Sequence, residues 1–364
     1  MPDPAPLHPV NRGHLDVLTD GVGIMQHAVG DRPDPGHGYC TDDVARALEV
    51  DLLHAREIGW GEVAASARRN VEFIGAAFNP ERGRFRNFRS IDGTWLEEEG
   101  SEDCQGRAML GLGRTIAEAQ DPDLVGAAAA LFSRALPLAQ GLGALRAQSS
   151  ALLGCDAALR GAPSPRTTLA YEVLASRLRA TFQARAGSAW PWPESRLTYE
   201  NALPVRALLV GGRRLDSRPM IDMGLHTLDW LVAAQTARAG HLSPIGNGWW
   251  TCGGQMSHFD QQPIEATALL LAAEVAWELT GDDRYRVAVE RAYAWFLGEN
   301  DLGLYVADPA RGAGCDALTP LGVNANQGAE STLMWLIAAE HVRTVRAPHP
   351  AARPSPSAVR VGVG

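Results

Sequence analysis

The sequence predicts an all-α fold, a closed ring of six helical hairpins. Two observations carry that expectation. Apolar residues recur at intervals of three and four almost throughout, with Ala, Leu and Arg abundant and β-branched alternation scarce. The helical stretches so marked are joined by connections that alternate between short and long.

Twelve stretches read as helices: 13–29, 42–58, 61–77, 102–119, 122–139, 144–160, 165–185, 200–214, 217–239, 260–280, 282–299 and 328–346. Even-numbered helices are followed by tight joints: Gly59-Trp60-Gly61, Gln120-Asp121-Pro122, Gly161-Ala162-Pro163-Ser164, Arg214-Leu215-Asp216 and Gly281-Asp282. Odd-numbered helices are followed by the long connections 30–41, 78–101, 186–199, 240–259 and 300–327, with 139–143 the short exception. Helices that alternate in direction bring every second connection to one end. The long loops and the starts of the even helices should therefore share a face, with even helices inside and odd helices outside. Two separate bundles divided near residue 187 are the alternative, which the unbroken alternation disfavours. Residues 1–12 and 347–364, rich in Pro and Ala, read as a flexible N-terminal segment and a disordered C-terminal tail around a single domain, 13–346.

Composition narrows the function. The 364 residues are 46% apolar and 21% charged, ample for a large core. A net charge of -9 without a basic tract argues against a nucleic-acid partner. No apolar stretch reaches the roughly 20 residues that a bilayer demands, and the proline-rich start lacks the apolar core of a secretory signal. Cys40, Cys104, Cys155, Cys252 and Cys315 are scattered, odd in number and free of CxxC spacing, which fits thiols in a reducing cytoplasm.

The starts of the even helices carry the chemistry. Helix two opens Cys40-Thr41-Asp42-Asp43-Val44-Ala45-Arg46, and helix four opens Ser101-Glu102-Asp103-Cys104-Gln105-Gly106-Arg107. Helices eight, ten and twelve open on Tyr199-Glu200-Asn201, Asp260-Gln261-Gln262-Pro263-Ile264-Glu265 and Asn324-Ala325-Asn326-Gln327-Gly328-Ala329-Glu330. A structural explanation exists for single acids. Thr41 and Ser101 suit N-caps, first-turn acids complement the helix dipole, and Arg46 and Arg107 stand four residues after Asp42 and Asp103. Capping does not require the accompanying amides and Tyr199. Nor does it require Trp95, Trp190, Trp192, Trp249 and Trp250 in the long loops. Sugar rings stack on indoles while their hydroxyls bond carboxylates and amides, so such a pocket suits carbohydrate. Two carboxylates across it supply what glycosidic cleavage needs. No HExxH, P-loop or GxSxG occurs, and His27, His37, His241 and His258 lack metal-ligand spacing, so neither metal nor cofactor is expected.

The segments 38–48, 100–103, 197–202, 259–266 and 326–331 resemble a bacterial family of six-hairpin glycosidase-like domains, and the resemblance spans nearly all of residues 13–346. It implies an (α/α)6 toroid with its active site at the N-terminal ends of the inner helices. It also implies a glycosyltransferase as partner, since such domains can be fused to one or encoded near it. The wider superfamily includes inverting glycoside hydrolases, sugar epimerases and unsaturated-glucuronyl hydrolases. Val44 stands where that family's second helix carries Asn, and the even helices lack the paired His on which the epimerases rely.

The expectation is a cytoplasmic, glycoside hydrolase-like enzyme acting on an oligosaccharide or glycoconjugate. Asp43 and Asp103 are the first candidates for acid and base, with Asp260, Glu265 and Glu330 behind them. Tyr39, Asp42, Arg46, Trp95, Glu102, Arg107, Trp192, Tyr199, Glu200, Asn201, His241, Trp249, Gln261, Gln262, Asn324, Asn326 and Gln327 are candidates for holding substrate. The alternatives are a sugar epimerase or isomerase, a phosphorolytic enzyme, or a non-catalytic carbohydrate-binding module serving a glycosyltransferase.

Overall fold

The computed structural model describes residues 4–347 apart from Ala186 and Ser188. Of the tail expected over 347–364, all but Ala347 lies outside the described residues. The helices are α1 Gly13–Leu18, α2 Thr41–Ile58, α3 Trp60–Ala77, α4 Glu102–Glu118, α5 Pro122–Ala139 and α6 Leu145–Gly161. They continue as α7 Pro165–Arg185, α8 Leu203–Arg214, α9 Arg218–Ala234, α10 Pro263–Thr280, α11 Asp283–Phe296 and α12 Ala329–Arg346. Each even-numbered helix packs on the next even one, and α12 returns to α2, so six helices close an inner ring. Helices α3, α5, α7, α9 and α11 lie outside, each against the inner helix before it, and α1 packs on α12. The contacts of α6 with α8 and of α12 with α2 tie the halves on either side of residue 187 together. The fold is an all-α toroid.

Burial follows position in the ring. The inner helix α2 is buried without a break from Asp43 to Ala55. The outer helix α3 buries a stripe through Val63, Ala67, Asn70, Val71 and Ile74, the spacing of a helix with one core face. Helices α4 and α6 approach backbone to backbone. A Cβ at Gly113 would lie 2.1 Å from the carbonyl oxygen of Gly154, and one at Gly154 would lie 2.5 Å from that of Met109. No helix among the described residues is long and apolar enough to cross a membrane.

The long loops carry short strands: β1 Met25–Val29, β2 Arg32–Cys40, β3 Phe78–Asn79, β4 Arg84–Phe85, β5 Phe88–Arg89, β6 Arg196–Leu197, β7 Trp250–Thr251, β8 Ala307–Asp308, β9 Ala313–Gly314, β10 Ala317–Thr319 and β11 Gly322–Asn324. The helix expected over 13–29 stops at Leu18. Asp20 takes the N–H groups of Val22 and Gly23 in a turn, and β1 then pairs with β2 across the tight Gly30-Asp31 turn, where Gly30 has φ 61°. Helices α8 and α10 begin about one turn later than expected. Glu200 and Asp260, with φ 47° and 57°, bend the chain just ahead of them.

The loops are stitched together at the end where the inner helices begin. Strand β2 pairs with β5, β6 with β7, and Gln261 bridges Leu318. Asn326 Oδ1 accepts from the backbone N–H of Gly30, whose carbonyl accepts from Gln327 N. In the N-terminal segment, residues 4–12 are tied to α2, α11 and α12. Arg12 pairs with buried Asp51 at 2.6 Å, while the carbonyls of Ala5, Pro6 and His8 accept from Arg346, Tyr293 and Arg343.

Candidate active site

The first turn of α2 is clamped before it can be functional. Thr41 donates its N–H to Asn87 O and its hydroxyl to Arg86 O, and Asp42 N donates to Asn87 Oδ1. The clamp aims Asp42 and Asp43 into a cavity of about 490 Å³ at this end of the ring. Asp42, Asp43 and Arg46 of α2, Glu330 and Ser331 of α12, and Gln26 and His27 of β1 form part of its wall. Asn87, Phe88, Asn247, Asp260, Gln262, Asp316, Thr319 and Asn324 from three loops complete most of the rest.

Arg46 organises the electrostatics. Its Nη1 lies 2.9 Å from Asp43 Oδ1 and its Nη2 2.8 Å from Glu330 Oε2, so one guanidinium spans the two helices that close the ring. Asp43 is only 3% exposed. Burial pushes its carboxyl up to about 7 against the pull of Arg46, and the neighbouring charges of Glu330 and Asp42 push the same way. Burial also raises Asp42 and Asp316 above the ordinary carboxylate range. A carboxyl that retains its proton near neutrality beside an ion-paired carboxylate can donate to a leaving oxygen while its neighbour handles water.

The sequence candidates divide. Asp42, Asp43, Arg46, Asp260, Gln262, Asn324 and Glu330 reach the cavity wall. Asp103 does not line it; one of its oxygens takes the Tyr199 hydroxyl and the other is buried without a donor. Glu265 lies beneath, accepting from Asn201 N and Nδ2, and its burial pushes it up to about 7. Arg107 forms a two-pronged ion pair with Glu200 rather than with Asp103, because the buried guanidinium reaches across the ring. Arg46 likewise bonds Asp43 and Glu330, not Asp42. Ser101 is the N-cap of α4 as expected, whereas Thr41 caps nothing and Cys40 takes that place.

Several others are structural. Glu102 accepts from Gly143 N and Ala144 N, holding the start of α6. Tyr39 is buried and donates to Asp20. Gln261 is fully buried, bridging Asp301, His258 O and Trp295, and His241 also bonds Asp301. Asn326 and Gln327 fasten the β1–β2 turn. The indoles do not reach the wall: Trp192 is 1% exposed against Phe182, Trp95 packs on Phe73, and Trp249 lies under Arg196 outside the cavity. Trp190, Trp230 and Trp250 form a cluster of their own. The aromatic face on the wall is Phe88 instead.

The reading missed Gln26, His27, Asn87, Phe88, Asn247, Asp316 and Thr319. Gln26 and His27 were hidden by the overlong first helix. Asp316 was findable as an acid in a long loop beside the Asn324 segment. Asn87 gave no signal beyond its loop. Among the described residues no cluster of three or more His, Cys, Asp or Glu is arranged to hold a metal.

No protein-family model and no curated protein matches the chain. Solved structures do. Cellobiose 2-epimerase from Bacillus thermoamylovorans superposes with TM-score 0.71 at 11% identity, covering 93% of this chain and 96% of that one. A D-mannose isomerase gives TM-score 0.68 at 11% identity over 92% and 96%. A GH76 α-mannanase from Bacteroides thetaiotaomicron gives 0.64 at 10% over 91% and 94%. At such identities the likeness establishes the shared toroid.

Proposed function

We propose that this protein is a carbohydrate-active enzyme that cleaves a glycosidic bond in an oligosaccharide or glycoconjugate. Asp43 is the general acid and Glu330 the opposing carboxylate. The observation that carries the reading is Asp43: a buried carboxyl pushed up to about 7, tied through Arg46 to Glu330 on the wall of an open cavity. Glycosidic cleavage needs one carboxyl to protonate the leaving oxygen and another to activate water or attack the ring carbon. Phe88 offers a flat apolar face, and Asn87, Asn247, Gln262 and Asn324 offer amides to sugar hydroxyls. A glycosyltransferase encoded with the chain, as the resemblance implies, would make the glycan acted upon.

His27 supports a second reading, sugar epimerisation or isomerisation. It lines the same wall and lies close enough to Asp316 to pull that carboxyl down, and the first two structural neighbours above are named as an epimerase and an isomerase. One experiment separates the readings. An oligosaccharide panel is incubated with the protein in D2O and products are weighed. Hydrolysis splits the chain with uptake of one water. Epimerisation leaves the chain whole and introduces solvent deuterium at carbon. Deuterium uptake without cleavage would overturn the glycosidase reading.

A further inference from the structure

We infer that the cavity binds its sugar unit through the sugar's hydrogen-bond donors and rejects units bearing an anionic substituent. Neutral and amino sugars are taken; uronates, sulfated sugars and sugar phosphates are not. The inference rests on the carbohydrate reading of the same cavity and adds the substrate class.

The wall is rich in acceptors and poor in cations. Asp42, Asp260, Asp316 and Glu330 contribute acceptor oxygens to it, beside Asp43, which donates while it holds its proton. Arg46 is the one Arg or Lys on that wall among the described residues, and both its terminal nitrogens are engaged by Asp43 and Glu330. Its Nε, like Asp42 Oδ1, is buried without a partner, one donor against the oxygens of five acids. The acids are not all satisfied. Asp42 Oδ1 is buried with no donor, and Asp43, 3% exposed, has one oxygen on Arg46. Asp260 projects from a left-handed bend at the rim, φ 57°.

A buried acceptor without a donor is costly, and a ligand that brings O–H or N–H groups relieves it. A carboxylate, sulfate or phosphate brings acceptors only. It also meets like charge wherever a wall acid is ionised: at 4 Å, each such carboxylate weakens an anion's binding roughly fivefold even at the dielectric of water. The amides donate and accept alike, so they discriminate little. The same field disfavours inorganic phosphate as attacking group, which points to hydrolysis over phosphorolysis.

The test uses β-1,4-linked disaccharides of glucose, glucosamine and glucuronic acid, and the mannose, mannosamine and mannuronic acid set. Binding to the full chain is read by ligand-observed NMR and cleavage by product mass. The expected result is binding of a neutral or amino member and none of its uronate. In the wild type, raising salt should narrow that gap, because screening weakens the repulsion. Asp260→Asn, which tolerates the same left-handed backbone, should narrow it roughly fivefold at low salt. A uronate bound as tightly as its neutral partner overturns the inference, whether or not anything is cleaved. Neutral binding without cleavage leaves the inference standing and removes the glycosidase reading. Binding of no member overturns both.

Discussion

Asp43 is where local chemistry decides most. A cap and an acid catalyst are both first-turn carboxylates, and they respond differently to one substitution. Asp43→Asn removes the transferable proton, so turnover should fall about a hundred- to ten-thousandfold. A cap would instead lose roughly 0.3–1 kcal/mol of stability and keep its rate. Rate and melting temperature on the same variant separate the two. The pH dependence adds a second check. Asp43 holds its proton to about 7 in the folded chain, against an unfolded value near 3.8. Its contribution to stability is therefore full below about pH 4 and lost as pH rises through 7. Glu265, raised to about 7 from 4.5, acts in the same sense. His54, lowered to about 3 by burial, acts in the opposite sense, so the variant is read against the wild type. Glu265→Gln should gain stability relative to wild type as pH rises from 4 to 8; a urea-denaturation series across pH measures it, and a difference that does not change with pH would contradict the assignment. The general-acid role also predicts that kcat declines above pH 7. Asp43, Glu330, Asp260 and Gln262 were legible in the sequence because acids and amides gathered ahead of inner helices exceed what capping needs. The tryptophans were not, because the sequence does not say which way a loop side chain turns: Trp192 is buried, Trp95, Trp190 and Trp250 are half-buried among neighbouring rings, and Trp249 is exposed outside the cavity.

The elements show what periodicity reveals and what it hides. Eleven of the twelve helices could be placed from apolar spacing and tight joints, and Gly59 and Gly281 take positive φ, 91° and 67°, at two of those joints. The β1–β2 hairpin is invisible in the sequence because Met25–Val29 also fits a helical continuation up to the two-residue turn Gly30-Asp31. The α4–α6 seam was equally hidden: single glycines in a helix look like weak propensity, yet Gly113 and Gly154 set the distance between two backbones. Gly113→Val should cost about 3 kcal/mol or more, at or beyond the upper end of overpacking, because the obstacle is a carbonyl and cannot rotate away. Gly126 on α5 faces open space, and Gly126→Ala should stabilise by about 0.4–1 kcal/mol. Thermal melts of both variants check the contrast; equal effects would mean the seam is looser than described.

At the scale of the whole molecule, the ring closes where the first inner helix meets the last, and that seam carries the site. Arg46 of α2 reaches Glu330 of α12 across it. The alternation of loop lengths foretold a ring, but nothing in the sequence showed that residues 4–12 would brace this seam from outside. Arg12 pairs with Asp51 of α2 at 2.6 Å, while the carbonyls of Ala5 and His8 accept from Arg346 and Arg343 of α12. Asp51 is fully buried and keeps two neutral donors, Asn70 Nδ2 at 2.9 Å and the Ser66 hydroxyl. Arg12→Met would strand a buried carboxylate and should cost about 3–5 kcal/mol, the loss expected when one partner of a buried pair is removed. Adding Asp51→Asn removes the stranded charge and should recover much of that loss, although either change alone destabilises. Urea unfolding of the two single variants and the double gives the coupling directly. Additive losses would mean that Arg12 braces the seam by packing its aliphatic stem. A rescued double variant would mean that the ion pair itself fastens the first helix of the ring to the strap that also holds the last.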